Sequence, residues 1–127
     1  MEYAALMVLI ALIEYIYFSM MVGKARVDAN IEAPAVSGDP HFERVFRVQQ
    51  NTIEQLLVFI PAILLFANYW SGLIALGLGI VFVIGRYLFY RSYVADPKTR
   101  AVGFLMTFLP NAILVIGALI GVIRALL

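Results

Sequence analysis

Four long apolar runs constrain this chain more than any other feature: Tyr3–Val22, Ile53–Tyr69, Gly72–Ile84 continued by Tyr87–Tyr90, and Ala101–Ile123. Lipid offers the backbone no hydrogen-bond partner, so a crossing segment must satisfy its own amides, as a helix or within a closed barrel. Barrel strands alternate apolar and polar residues, whereas these runs are nearly continuous. Each, with its flanks, reaches the roughly 20 residues of helix that a hydrocarbon core requires. A composition of 64% hydrophobic and 13% charged residues agrees, since soluble domains carry about twice that charge. The expected fold is an all-α membrane protein, one four-helix transmembrane domain over residues 1–127. Its helices are expected at about 2–23, 40–68, 72–94 and 97–125, from the apolar runs and their start and stop signals.

The first run starts Met1-Glu2-Tyr3, without a basic segment, and no small-x-small cleavage site follows it, so it reads as a retained helix. Net charge is only +1, but its distribution is uneven. Lys24, Arg26, Arg44 and Arg47 flank the first connection, Arg86, Arg91, Lys98 and Arg100 flank the third, and only Arg124 lies elsewhere. Cytoplasmic loops are enriched in Lys and Arg, which assigns both connections to the cytoplasm and both termini to the other side. There is no cysteine, so any thiol chemistry must use a substrate's sulfur. The single histidine, His41, argues against a multi-histidine metal site, and no metal is expected. The basic residues sit at membrane boundaries, which gives no surface for nucleic acid.

The first connection, Gly23–Asp39, reads as a surface loop, with Pro34 and Gly38 within it. Asp39-Pro40 then supplies an N-cap followed by proline at the first helical position, and Asp96-Pro97 repeats the signal before helix four, putting Arg100 in that helix's first turn. Pro61 and Pro110 fall inside helices, where bends are expected. A helix from Pro40 to Asn68 is about 43 Å long at 1.5 Å per residue, longer than the bilayer core, so its first turns belong at the cytoplasmic interface. Tyr69 and Trp70 suit the opposite interface.

Those first turns carry Glu43-Arg44-Val45-Phe46-Arg47-Val48-Gln49-Gln50-Asn51-Thr52-Ile53-Glu54. At about 100° per residue, Arg47, Asn51 and Glu54 share one face within about 60°. Polar groups there must meet each other, a neighbouring helix or a polar ligand. On helix three, Arg86, Phe89 or Tyr90, and Tyr93 share a face by helical spacing, and Arg100 follows soon after. A basic pocket with one carboxylate and several amides suits a small polyanion that also bears an ammonium group. Arg86, Arg91 and Lys98 fit equally the role of interfacial anchors. Arg47, Asn51 and Glu54 fit that role poorly, leaving a ligand site or a structural network between helices.

These residues resemble a known family, the membrane-associated proteins in eicosanoid and glutathione metabolism, in the branch of microsomal glutathione transferase 2 and leukotriene C4 synthase. The resemblance rests on Phe42-Glu43-Arg44-Val45-Phe46-Arg47-x-Gln49-x-Asn51-x-x-Glu54, on Gly85-Arg86 followed by Tyr93 and Arg100, and on a match from Tyr17-Phe18-Ser19 through Glu54. It implies a homotrimer that binds glutathione between subunits near the cytoplasmic face. By that resemblance, Arg47, Asn51 and Glu54 hold the γ-glutamyl end, with Glu54 facing its ammonium. Arg26 and Gln49 hold the glycine carboxylate, Tyr93 contacts the peptide, and Arg100 faces the sulfur.

The chain departs from the pattern at Gln55 and Phe89, where the eicosanoid enzymes have tyrosines, and at Val27, where they carry a second arginine. The resemblance therefore implies a general glutathione transferase or peroxidase, acting on hydrophobic electrophiles or lipid hydroperoxides from the bilayer, rather than leukotriene C4 synthesis. Two rivals come from other classes. One is a non-catalytic member that presents lipid to a partner; the other is a small proton-coupled multidrug transporter using Glu14, a carboxylate in the middle of helix one. The ending at Leu127, without a basic or retrieval tail, suggests a bacterial inner membrane, or the endoplasmic reticulum in a eukaryote.

Overall fold

The computed structural model describes residues 1–127. Four helices follow one another: α1 (Glu2–Asp28), α2 (Pro40–Tyr69), α3 (Gly72–Ala95) and α4 (Ala101–Leu126), with a 3-10 turn at Pro97–Thr99 before the last. All four are long and apolar enough to cross a membrane. The chain is an all-α integral membrane protein, as the apolar runs require.

The starts follow local chemistry. Asp39 Oδ2 accepts from the Phe42 backbone N–H at 2.9 Å, with Pro40 at the first helical position of α2. Glu43 Oε2 reaches back to accept from the Gly38 N–H at 3.1 Å, and Gly38 has a φ of 129° that side-chain-bearing residues rarely adopt. Ser71 caps α3 by accepting from the Ile74 N–H at 3.3 Å. Removing the α2 cap with Asp39→Ala is expected to cost about 1 kcal/mol, read as a lower melting temperature in detergent, whereas Asp39→Asn keeps an acceptor and most of the stability.

Two helix boundaries differ from the sequence expectation. Helix α1 continues past Gly23 to Asp28, because Ala25 packs with Val22 against Phe42 and Val45 in a small cluster of its own. It ends only where Asn30 turns to a φ of 55°, with the Asn30 N–H bonded to Val27 O and the Ile31 N–H to Arg26 O. A left-handed Asn with that bond pair is a standard helix stop. The second difference precedes α4. Asp96 caps the short 3-10 turn, accepting from the Lys98 N–H at 3.1 Å, rather than α4 itself. The Thr99 hydroxyl donates to Ser92 O and Asp96 O, closing the turn tightly against the end of α3. Arg100 therefore stands immediately before α4, not inside its first turn.

The main core runs between the helices: Ala4, Met7 and Ala11 from α1, Leu56, Phe59, Ile63 and Phe66 from α2, Ala75 and Phe82 from α3, and Leu114 and Ala118 from α4. Phe59 and Phe82 stack with ring centroids 3.9 Å apart. Many other large apolar side chains, among them Leu9, Ile13, Leu57, Leu73, Ile116 and Leu119, point outward. That is the pattern of a bundle whose solvent is lipid, where burial of apolar surface no longer drives packing. Close approach of α3 and α4 relies on small residues instead. A Cβ on Gly103 would lie 2.4 Å from Phe89 N, and one on Gly85 2.6 Å from Met106 Cβ.

Candidate functional site

The inward face of α2 is set by Phe42, Val45, Val48, Thr52 and Leu56, all buried. Helical spacing then turns Arg47, Asn51 and Glu54 outward: Arg47 and Glu54 are exposed and Asn51 is half-buried. The Oδ1 of Asn51 is shielded and has no hydrogen-bond partner. A shielded amide oxygen without a donor costs about 1–3 kcal/mol.

Arg47 shares a cleft with Pro40, Glu43, Arg44 and Tyr93. Arg44 builds it: its Nη1 donates to the final α3 carbonyls, Val94 O at 3.2 Å and Ala95 O at 3.3 Å. That contact pins the start of α2 to the end of α3, which sets Tyr93 beside Arg47. Tyr93 is itself stacked on Phe89, with centroids 5.4 Å apart and planes 15° from parallel.

The remaining expected residues lie elsewhere. Arg26 lines a separate cleft with Val27, Asn30, Ile31, Glu32 and Ala33. Its guanidinium sits 4.8 Å from the Phe42 ring centroid, and Nη1 donates to Ala35 O at 2.7 Å. Gln49 spends one amide hydrogen on Ser19 Oγ at 3.0 Å, while Ser19 donates to Tyr15 O. Arg100 is exposed, donates to Pro97 O at 3.0 Å, and lines a third cleft with Lys98, Ala101 and Phe104. One chain thus brings Arg47 and Tyr93 together but leaves Arg26 and Arg100 in clefts of their own.

The structure corrects the reading of Arg86 as an interfacial anchor. Its side chain is 0% exposed. Nη2 donates to Thr52 Oγ1 of α2 at 2.8 Å and Nη1 to Thr107 Oγ1 of α4 at 3.3 Å, while Nε is buried without a partner. The guanidinium also lies 4.6 Å from the Phe89 ring centroid.

A further polar contact joins α2 and α4. Asn111, 5% exposed, donates from Nδ2 to Gln55 Oε1 at 3.2 Å and to Gln55 O at 3.4 Å. Below it runs an apolar groove between the same helices, lined by Val58, Pro61, Leu65, Val115, Leu119 and Val122.

A family comparison covers nearly all of this architecture: the MAPEG family model matches residues 3–120. The chain belongs to the MAPEG family. This MAPEG chain is 41% identical to an uncharacterized protein of Synechocystis over 119 residues, covering 94% of the chain and 87% of that relative. It is 37% identical to human microsomal glutathione S-transferase 2 over 111 residues, 87% of the chain and 76% of the human protein. With mouse leukotriene C4 synthase it shares 26% identity over 127 residues, 86% of the chain and 85% of the mouse protein.

Sequence reasoning on this MAPEG chain missed Thr52, Thr107 and Asn111 as partners, and misplaced Arg86. One signal was present. Ala75, Gly79, Phe82, Arg86 and Phe89 recur at alternating spacings of four and three, the period of one helix face, and that face is the buried one.

Proposed function

We propose that this MAPEG chain is a membrane-bound glutathione transferase, which binds glutathione through Arg26, Arg47, Gln49, Asn51, Glu54 and Tyr93 and activates its thiol with Arg100. The observation that carries the reading is Asn51, whose shielded Oδ1 lacks a donor between the exposed Arg47 and Glu54. That trio fits an amino-acid end of a peptide: a guanidinium pairs with its carboxylate, Glu54 with its ammonium, and Asn51 with either. The glycine carboxylate falls to Arg26 and Gln49. Tyr93, in the Arg47 cleft, contacts the peptide.

Because Arg100 and Arg47 line different clefts of one chain, the reading requires a second copy to complete the site. A homotrimer with glutathione between neighbours meets that need. The distribution of Lys and Arg supports a cytoplasmic face for the site, with both termini opposite, in a bacterial inner membrane.

An ordinary thiol has a pKa of about 8.5 and is mostly protonated at neutral pH. A guanidinium beside the sulfur, at the positive end of α4, favours the thiolate. The thiolate then attacks a hydrophobic electrophile arriving through the bilayer, forming a C–S bond as the leaving group departs with the bonding pair. With a lipid hydroperoxide, the same thiolate attacks the terminal oxygen; the O–O bond breaks and the lipid alkoxide takes up a proton. A second glutathione converts the sulfenic acid to the disulfide and releases water.

The test is a titration of the purified protein with glutathione, followed by thiolate absorbance in the ultraviolet. Saturable binding of one glutathione per chain is expected. Glu54→Gln should weaken it by about tenfold or more, the effect of removing one charged partner. Absence of saturable binding would remove the proposal, and binding without turnover of any electrophile would reduce it to a non-catalytic, lipid-presenting member.

A further inference from the structure

Arg86 poses a problem of physical economy. A guanidinium in the middle of a membrane bundle is costly to desolvate, and an apolar side chain of similar volume often packs there at no loss of stability. This one even leaves its Nε donor unmatched. Its presence calls for something that an apolar residue would not do.

The directions of its contacts supply an answer. Thr52 donates its own proton to Val48 O at 2.7 Å, and Thr107 donates to Gly103 O at 3.0 Å, so each hydroxyl oxygen is free to accept from Arg86 and fixed in direction. Two anchors on two helices define the plane of the guanidinium. The guanidinium carbon lies over the ring of Phe89, one turn further along α3, and Phe89 in turn stacks on Tyr93, another turn on. The column ends in the cleft that holds Arg47. The backbone of Phe89 is held close to α4, because Gly103 has no side chain to keep it away. Gly103 lies within one turn of Arg100 and carries the carbonyl that orients Thr107.

We propose that Arg86 is a positioning residue for the glutathione site: through the Phe89–Tyr93 stack it sets where the Tyr93 phenol stands beside Arg47. The Thr107 bond adds a tie between this column and the start of α4. The proposal rests on the glutathione reading above. It assigns Arg86 no contact with substrate, and it explains why a departure from tyrosine at Phe89 is compatible with a working site: the ring's task there is to transmit position.

The experiment compares Phe89→Leu, Arg86→Lys and the double variant with the unmodified protein, each purified in detergent. Phe89→Leu leaves Arg86, Thr52 and Thr107 intact and preserves an apolar side chain, so it keeps the test decisive if Arg86→Lys folds poorly. The KM for glutathione should rise about tenfold in Phe89→Leu, the scale of a small misplacement of one contacting group. The kcat at saturating glutathione should stay within about twofold. Arg86→Lys should behave similarly, and the double variant should raise KM no further than the worse single change, because both act along one path. Lower melting temperatures with an unchanged KM would overturn the proposal by making Arg86 merely structural. Additive effects on KM would overturn it too, since they would mean independent routes. If the unmodified protein binds glutathione and all three variants bind it as tightly, only the positioning proposal falls. If the unmodified protein binds none, the functional reading falls first and takes this proposal with it.

Discussion

Arg100→Ala is expected to lower the rate of glutathione conjugation by about a hundredfold, the usual effect of removing one preorganised partner from a reacting anion. The cause is specific. The Arg100 side chain is exposed and hydrogen-bonded only to Pro97 O, so its loss should not unravel the bundle. In the proposed site, what disappears is a fixed positive charge beside the sulfur, leaving the dipole of α4 as the remaining stabilisation. The bound thiol then titrates closer to its ordinary value of about 8.5, and the rate–pH profile moves to higher pH. The sign follows directly: a cation favours the charged form, so removing it raises the thiol pKa and shrinks the thiolate fraction at neutral pH. Glutathione affinity should change far less than rate, since the Arg47–Glu54 wall is untouched. The check is thiolate absorbance against pH, with turnover of a chloronitroaromatic electrophile measured in parallel. An unchanged profile and rate would dismiss Arg100 from the chemistry.

Gly103→Ala should have the largest effect on stability. The added Cβ would meet Phe89 N at 2.4 Å and Phe89 Cα at 2.6 Å, which are backbone atoms that cannot swing aside. The two helices would have to separate, breaking the Arg86–Thr107 bond next to the contact. A cost of about 3 kcal/mol or more is expected, at the upper end for overpacking. Gly23→Ala is the control: nothing lies within 4 Å of its Cβ position, and it sits inside α1. There alanine should be neutral or stabilising by about 0.5–1 kcal/mol. Melting curves of both variants in one detergent decide it, and equal midpoints would show that α3 and α4 do not touch at Gly103.

The architecture was readable in advance because lipid leaves the backbone few choices. Continuous apolar runs could only be helices, and Asp39-Pro40 announced the start of α2. The polar stripe of α2 was equally legible, since three polar residues at helical spacing have no business facing hydrocarbon. Helix ends were harder. The extension of α1 to Asp28 depends on Ala25 finding Phe42 and Val45 across the bundle, a contact that no local signal encodes. The 3-10 turn before α4 depends on one hydroxyl, that of Thr99, bridging two carbonyls.

Arg86 was the instructive failure. Proximity to a charged connection suggested an anchor at the membrane surface, while the helix period put it on the inward face with Phe82 and Phe89. Period outweighs proximity here, because a side chain's direction is set by its helix whatever the depth of its Cα. The relation of Arg100 to Arg47 lies beyond any reading of one chain, since the two occupy different clefts of the same molecule.

The buried guanidinium also bears on how the protein is made. Hydrophobic helices enter a membrane in chain order and pack afterwards. When α3 arrives, Arg86 is a cation with five donors and no water, and an isolated helix would pay heavily for it. By then α2 has already been made, and it carries the Thr52 hydroxyl that accepts from Arg86. Thr107 comes last, with α4. Of its two hydroxyl partners one precedes it in the chain and one follows, so both bonds form only once α2, α3 and α4 have packed together.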